Sequence, residues 1–117
     1  MANFKRFKRV KVPIQLRGAR TTDVLVVDGW MLEGERLNAA VVRAPYIARG
    51  AWQVVRASDG LILMLADSEA KARASLRKLA EAVAGCDAAR ELNVEAPDVA
   101  RLLVQVRQQL IEAGLAY

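Results

Sequence analysis

The sequence predicts an α+β fold: a mainly antiparallel sheet of about six strands, with two C-terminal helices packed on one of its faces. Three observations carry this. Apolar alternation and β-branched runs fill the first half of the chain. Two Asp-Gly pairs, Asp28-Gly29 and Asp59-Gly60, each lie between apolar runs. Both central positions of a type I′ turn need positive φ, which Asp tolerates and Gly accepts, so such pairs are strong hairpin signals. Helical spacing begins only after residue 67. Elements segregated in this order place helices on one face of an antiparallel sheet.

The first strand is expected over residues 8–16. Val10, Val12, Ile14 and Leu16 alternate with Arg9, Lys11, Gln15 and Arg17, the period of two that marks a half-buried strand. Pro13 has no N–H to offer a neighbouring strand, which sends this one to an edge. Residues 1–7 read as the basic entry into this strand, with a frayed basic arm as the alternative. Val24–Val27 and Trp30–Leu32 are expected as the arms of a hairpin turning at Asp28-Gly29. Trp52–Arg56 and Leu61–Leu65 are expected to flank the second turn, at Asp59-Gly60. Between the hairpins, Gly34-Glu35 turns the chain into a strand over 37–43, and 44–50 is a loop.

Asp67 or Ser68 caps the first helix, where either side chain can accept from a free amide of the first turn. Ala72, Leu76, Leu79, Ala80 and Val83 form its apolar stripe,. Glu69–Arg73 and Arg77–Glu81 stand four residues apart on its polar side, and Gly85 ends it. Pro97 opens a second helix, in the first turn where a missing N–H costs nothing. Val99, Leu102, Leu103, Val106 and Leu110 keep the period until Gly114. Residues 87–96 fit a helical turn or a strand equally.

At 117 residues the chain suits a single domain,. No apolar run approaches the ~18–20 residues that cross a bilayer, and no signal-peptide pattern follows the basic N-terminus, so no membrane role is expected. Cys86 is the single cysteine; it is expected as a small buried residue in a cytoplasmic, reducing setting. Val24–Val27 and Leu61–Leu65 are apolar on both faces and need cover on both. The helices supply one cover. Sheet curvature or a second subunit supplies the other, and a homodimer is the expected assembly.

Absences exclude most chemistry. There is no histidine, hence neither the commonest general base nor a Cys–His pair. No serine sits in a Gly-x-Ser-x-Gly elbow, and no phosphate-loop or dinucleotide glycine pattern occurs. Glu33, Glu35 and Asp28 gather near one predicted turn, as Mg²⁺ or Ca²⁺ ligands do, but carboxylates beside turns are commonplace. No enzyme activity, cofactor or metal is expected.

Charge is unevenly placed. Residues 1–20 hold Lys5, Arg6, Lys8, Arg9, Lys11, Arg17 and Arg20 and no acid, whereas the rest of the chain carries eleven cations and all thirteen acids. The net charge of +5 therefore belongs to the N-terminus, and attraction for an anionic partner starts there. Phe7 shares a strand face with Arg9 and Lys11. Cations that track phosphate beside a ring that stacks a base are how single-stranded nucleic acid is held. Arg6, Phe7, Lys8, Arg9, Lys11, Arg17 and Arg20 are thus the candidate contacts for nucleic acid or another acidic partner. The same cations also suit an edge strand that must not pair with other sheets. Trp30, Trp52 and, in its Pro-Tyr-Ile loop, Tyr46 are candidate interface residues. They would serve a second reading, a self-associating protein-interaction or scaffolding module with no nucleic-acid role.

Overall fold

The computed structural model of the chain describes residues 6–17, 22–34, 36–43, 52–84 and 86–116, without the side chains at 15–17, 22, 23, 87 and 88. Arg20, Glu35, Tyr46 and Gly85 lie outside them, so the expectations placed on those residues are not met by any description.

Among the described residues five strands precede three helices: β1 (Phe7–Arg17), β2 (Thr22–Leu32), β3 (Ala39–Arg43), β4 (Trp52–Arg56), β5 (Ile62–Ala66), α1 (Glu69–Val83), α2 (Asp87–Arg90) and α3 (Pro97–Glu112). The strands form one sheet in chain order, β1-β2-β3-β4-β5, with every neighbouring pair antiparallel. This is the predicted α+β class, with β1 at an edge as Pro13 requires. Phe7 belongs to β1 rather than to a frayed arm. None of the described helices is long and apolar enough to cross a membrane.

One predicted hairpin does not exist. Asp28-Gly29 lies inside the continuous strand β2, which pairs over its whole length with β1 from Phe7↔Leu32 to Arg17↔Thr22. The glycine serves space rather than a turn. A Cβ there would sit 2.7 Å from Val12 Cγ2 and 3.0 Å from Val42 Cγ1, closer than packed carbons approach. The second pair does turn, but in a wider loop than a type I′ pair makes: the Gly60 amide donates to the Arg56 carbonyl, and Gly60 takes φ +78° while Asp59 does not share its positive φ.

The sheet has two buried faces. On one, Leu32, Ala39, Val41, Val54, Met64 and Ala66 meet Ala72, Leu76, Leu79 and Val83 of α1 and Val99, Val106 and Leu110 of α3. Each leucine, valine or methionine among them contributes about 1.5–3 kcal/mol when fully buried. On the other face, Val12 and Ile14 of β1 pack with Ala40, Val42 and Val55. Sheet curvature supplies this second cover: the β1–β2 ribbon coils over the sheet until Pro13 and Ile14 meet Gly60.

The helices follow the sequence closely. Ser68 is the N-cap of α1, its Oγ accepting from the Lys71 amide at 3.2 Å. Pro97 stands in the first turn of α3. Residues 87–96 resolve into the single turn of α2 and a connecting bend. Leu92 there holds φ +55° with its side chain fully buried, a left-handed conformation that its burial offsets. This segment is tied to the sheet by two polar side chains. Asn38 Nδ2 donates to the Glu91 carbonyl (3.1 Å) and to Ser58 Oγ (3.0 Å), while its Oδ1 accepts from the Ser58 amide. Arg56 spans Asp59 and the Leu92 carbonyl, the latter at 3.0 Å. Cys86, expected in the core, is exposed just before α2, where the chain leaves α1 at the surface.

Candidate nucleic-acid interface

Strand register decides which β1 side chains share a surface. Phe7, Arg9 and Lys11 stand opposite Leu32, Trp30 and Asp28, and paired residues point to one side of a sheet. This is the side that α1 covers further along the sheet, so the row begins under the helix and runs out into solvent. Lys8 alternates to the other side and is exposed there.

At the solvent end, Arg9 and Lys11 both donate to the carboxylate of Asp28. Their side chains remain 69% and 73% exposed. Hydrogen bonds from Arg9 and then Lys11 hold the Asp28 carboxyl down to about 2, well below its ordinary 3.8. Asp28 in turn raises the Arg9 guanidinium above its usual value. The three-residue cluster keeps a net positive charge, since one carboxylate answers two cations. Arg6, just before β1, is exposed, and its backbone carbonyl accepts from the Glu33 amide at 2.7 Å. Arg43, exposed, stands opposite Trp52 where β3 ends.

At the helix end, the ring of Phe7 is not open. The guanidinium carbons of Arg73 and Arg77 lie 4.8 and 4.9 Å from its centroid, within cation–π range. The ring is half-buried against the helix-side core. The guanidinium groups of α1 thus stand where a base would stack on this ring. Arg73 also lies 5.9 Å from the Trp30 ring and donates to Glu69 at 2.7 Å. Trp30 and Trp52, offered as interface residues, form a tilted pair with centroids 6.1 Å apart. Both are half-buried, and Trp52 packs on the helix-side core.

Arg73 and Arg77 were missing from the sequence-based set, which placed them on the solvent side of α1. The available signal was position. Each directly follows a residue of the apolar stripe, Ala72 and Leu76, so each flanks the buried face, and their spacing of four aligns them.

The metal reading finds no support in the placement of Asp28, which is engaged by two cations in mid-strand and not gathered at a turn. Among the described residues no group of three or more His, Cys, Asp or Glu is arranged to hold a metal ion. Arg17 lies at the end of β1.

Beyond Asp28 the same outward side of the ribbon turns apolar. Val26 pairs with Pro13 and Val24 with Gln15; Val24 is 65% and Val26 59% exposed. Leu25, Leu61 and Ile62 are also exposed, around the point where the ribbon meets Gly60.

No family model matches the chain, and neither the curated proteins nor the solved structures contain a match to it.

Proposed function

We propose that the protein is a non-enzymatic binding module that holds the phosphate backbone of a nucleic acid with the cations of β1. The observation that carries the reading is the Arg9–Lys11 pair. Both side chains are more than two-thirds exposed on the open side of the edge ribbon, next to a single carboxylate. Arg6, exposed just before the strand, and Lys8, exposed on its opposite side, add charge to the same strand, and Arg17 and Arg20 follow in sequence. Phosphate needs no more than such an array, because the backbone term is electrostatic and independent of sequence. Phe7 is assigned to packing against α1 and not to stacking. The module is set in the cytoplasm, where an exposed lone thiol such as Cys86 stays reduced,.

The test is a salt-dependent titration with labelled oligonucleotides. Affinity should fall with salt, with a log–log slope of roughly −0.9 per duplex phosphate neutralised or about −0.7 per single-stranded one. Replacing Lys8, Arg9 and Lys11 together by Gln should flatten it. A flat titration with both duplex and single strand at low salt sinks the reading. It would leave an acidic protein as the partner the same cations serve.

A second reading is homodimerisation, as an interaction or scaffolding module. It is supported by exposed aliphatic side chains, Val24 and Val26 on the outward side of the ribbon and Leu25, Leu61 and Ile62 besides, since exposed apolar surface marks contact sites when it is contiguous. Light scattering across a concentration series tests it, and a strict monomer rules it out.

A further inference from the structure

The geometry points to B-form duplex DNA as the nucleic acid, with the β1–β2 ribbon lying in its major groove. This rests on the phosphate-binding reading above and adds the partner's form and the element that enters it.

The ribbon has the right width. All eleven residues of β2 pair with β1, but only Gly29 and Trp30 also pair with β3. Among the described residues, the ribbon from Asp28 back to Thr22 is two strands wide. Strands lie about 4.8 Å apart, and a major groove about 12 Å wide admits a two-stranded ribbon. The inner side of the ribbon is fixed, because Val12 and Ile14 are buried on the sheet. Its outer side is therefore presented as a rigid ridge.

The chemistry of that ridge follows the groove. Its first rank, Lys11 across from Asp28, is charged and suits the phosphates along the groove wall. Its next ranks carry Val26 and Val24, more than half exposed. The groove floor offers the matching apolar group, the C5-methyl of thymine. A purely phosphate-holding surface has no use for exposed valines, and water disfavours them.

The alternatives fit less well. Single-strand binding uses free aromatic faces as stacking platforms, and the Phe7 ring is occupied by Arg73 and Arg77. Duplex RNA has a major groove too deep and narrow for side chains to read.

The experiment uses the full chain and a mixed-sequence 20-bp DNA duplex rich in A·T pairs. Comparison probes are its single strand, the RNA duplex of the same sequence and the same DNA duplex with uracil in place of thymine. The DNA duplex should bind about ten-fold tighter than the single strand or the RNA duplex. Removing the thymine methyls should weaken binding by about four-fold for each methyl buried. The double variant Val24→Ser/Val26→Ser alters only exposed positions, and its fold is checked by circular dichroism. It should lose the thymine-over-uracil difference while keeping the wild-type salt slope. Equal affinity for the DNA and RNA duplexes, or a thymine effect that survives in the variant, overturns the groove placement and leaves phosphate binding standing. Binding to none of the probes overturns both. A change in oligomeric state caused by the variant also overturns it, by assigning the valines to self-association.

Discussion

Gly60 lies directly under the backbone of β1: a Cβ on it would come 2.2 Å from the Pro13 carbonyl oxygen and 2.8 Å from Ile14 Cα. That contact fixes where the ribbon crosses the second face of the sheet. Both of its partners are backbone atoms, so neither can swing aside. Gly60 also needs φ +78°. Gly60→Ala therefore meets a left-handed penalty and a clash together, and should cost roughly 3 kcal/mol, read by urea denaturation. A loss under ~0.5 kcal/mol would mean that the ribbon does not rest on this turn.

Gly29 presents the contrasting case, a clash with side chains at an ordinary backbone angle. Gly29→Ala should destabilise by about 1–2 kcal/mol through its contact with the Val12 and Val42 methyls,. Val12→Ala in the same chain removes the nearer methyl and should recover part of that loss. Additive losses in the double variant would show that the two residues are not in contact.

These two glycines also show how far the fold was legible. Identical Asp-Gly dipeptides between apolar runs look alike locally, and one turned while the other did not. Turn chemistry states what a dipeptide permits. Tertiary packing decided that Gly29 was wanted for its missing side chain, which lengthened β2 and reduced six expected strands to five. The edge placement of β1 was legible because Pro13 lacks an N–H wherever it sits. The α1 stripe, its Ser68 cap and the Pro97 start of α3 were legible because they depend on neighbours within a turn. The surroundings of Phe7 were not legible for the opposite reason: α1 begins more than sixty residues away, and nothing near Phe7 announces the guanidinium groups that cover its ring.

Arg56 links the sheet to the segment between α1 and α3. It donates to Asp59 through Nε at 2.9 Å and to the Leu92 carbonyl through Nη1 at 3.0 Å. The hydrogen bond from Arg56 lowers the Asp59 carboxyl from its ordinary value. Arg56→Met keeps the aliphatic stem and removes these bonds together with the second one to Asp59, from Nη2, so stability should fall by about 2 kcal/mol. Amide exchange should rise first around Leu92. Uniform exchange across the sheet instead would argue against a local tie.

The Asp28 carboxyl offers a direct reading of the cation cluster. It should titrate near 2, below the ordinary 3.8, because the Arg9 and Lys11 hydrogen bonds favour its charged form,. The sign follows from linkage: a depressed carboxyl stabilises the fold fully above 3.8, and that contribution is lost as pH falls through about 2. Carboxyl carbon NMR gives the value. Arg9→Gln should move it upward more than Lys11→Gln does, since Arg9 is the larger influence. An unshifted carboxyl in the wild type would mean that the three side chains do not meet in solution.

Asp28 is also the carboxylate with which a nucleic-acid phosphate must compete. While it holds Arg9 and Lys11, part of their charge is already answered. Asp28→Asn keeps the size of the side chain and removes that answer, so the cluster gains one unit of positive charge. Under the phosphate-binding reading, duplex affinity should rise at low salt and the log–log salt slope should steepen by up to about 0.9, the increment for one further phosphate. The replacement should leave secondary structure unchanged, because Asp28 forms its ion pairs at the surface, where such pairs add little to stability. Under the self-association reading the same change does nothing to oligonucleotide binding. An Asp28→Asn protein with unaltered affinity and slope would therefore remove Arg9 and Lys11 from the contact set.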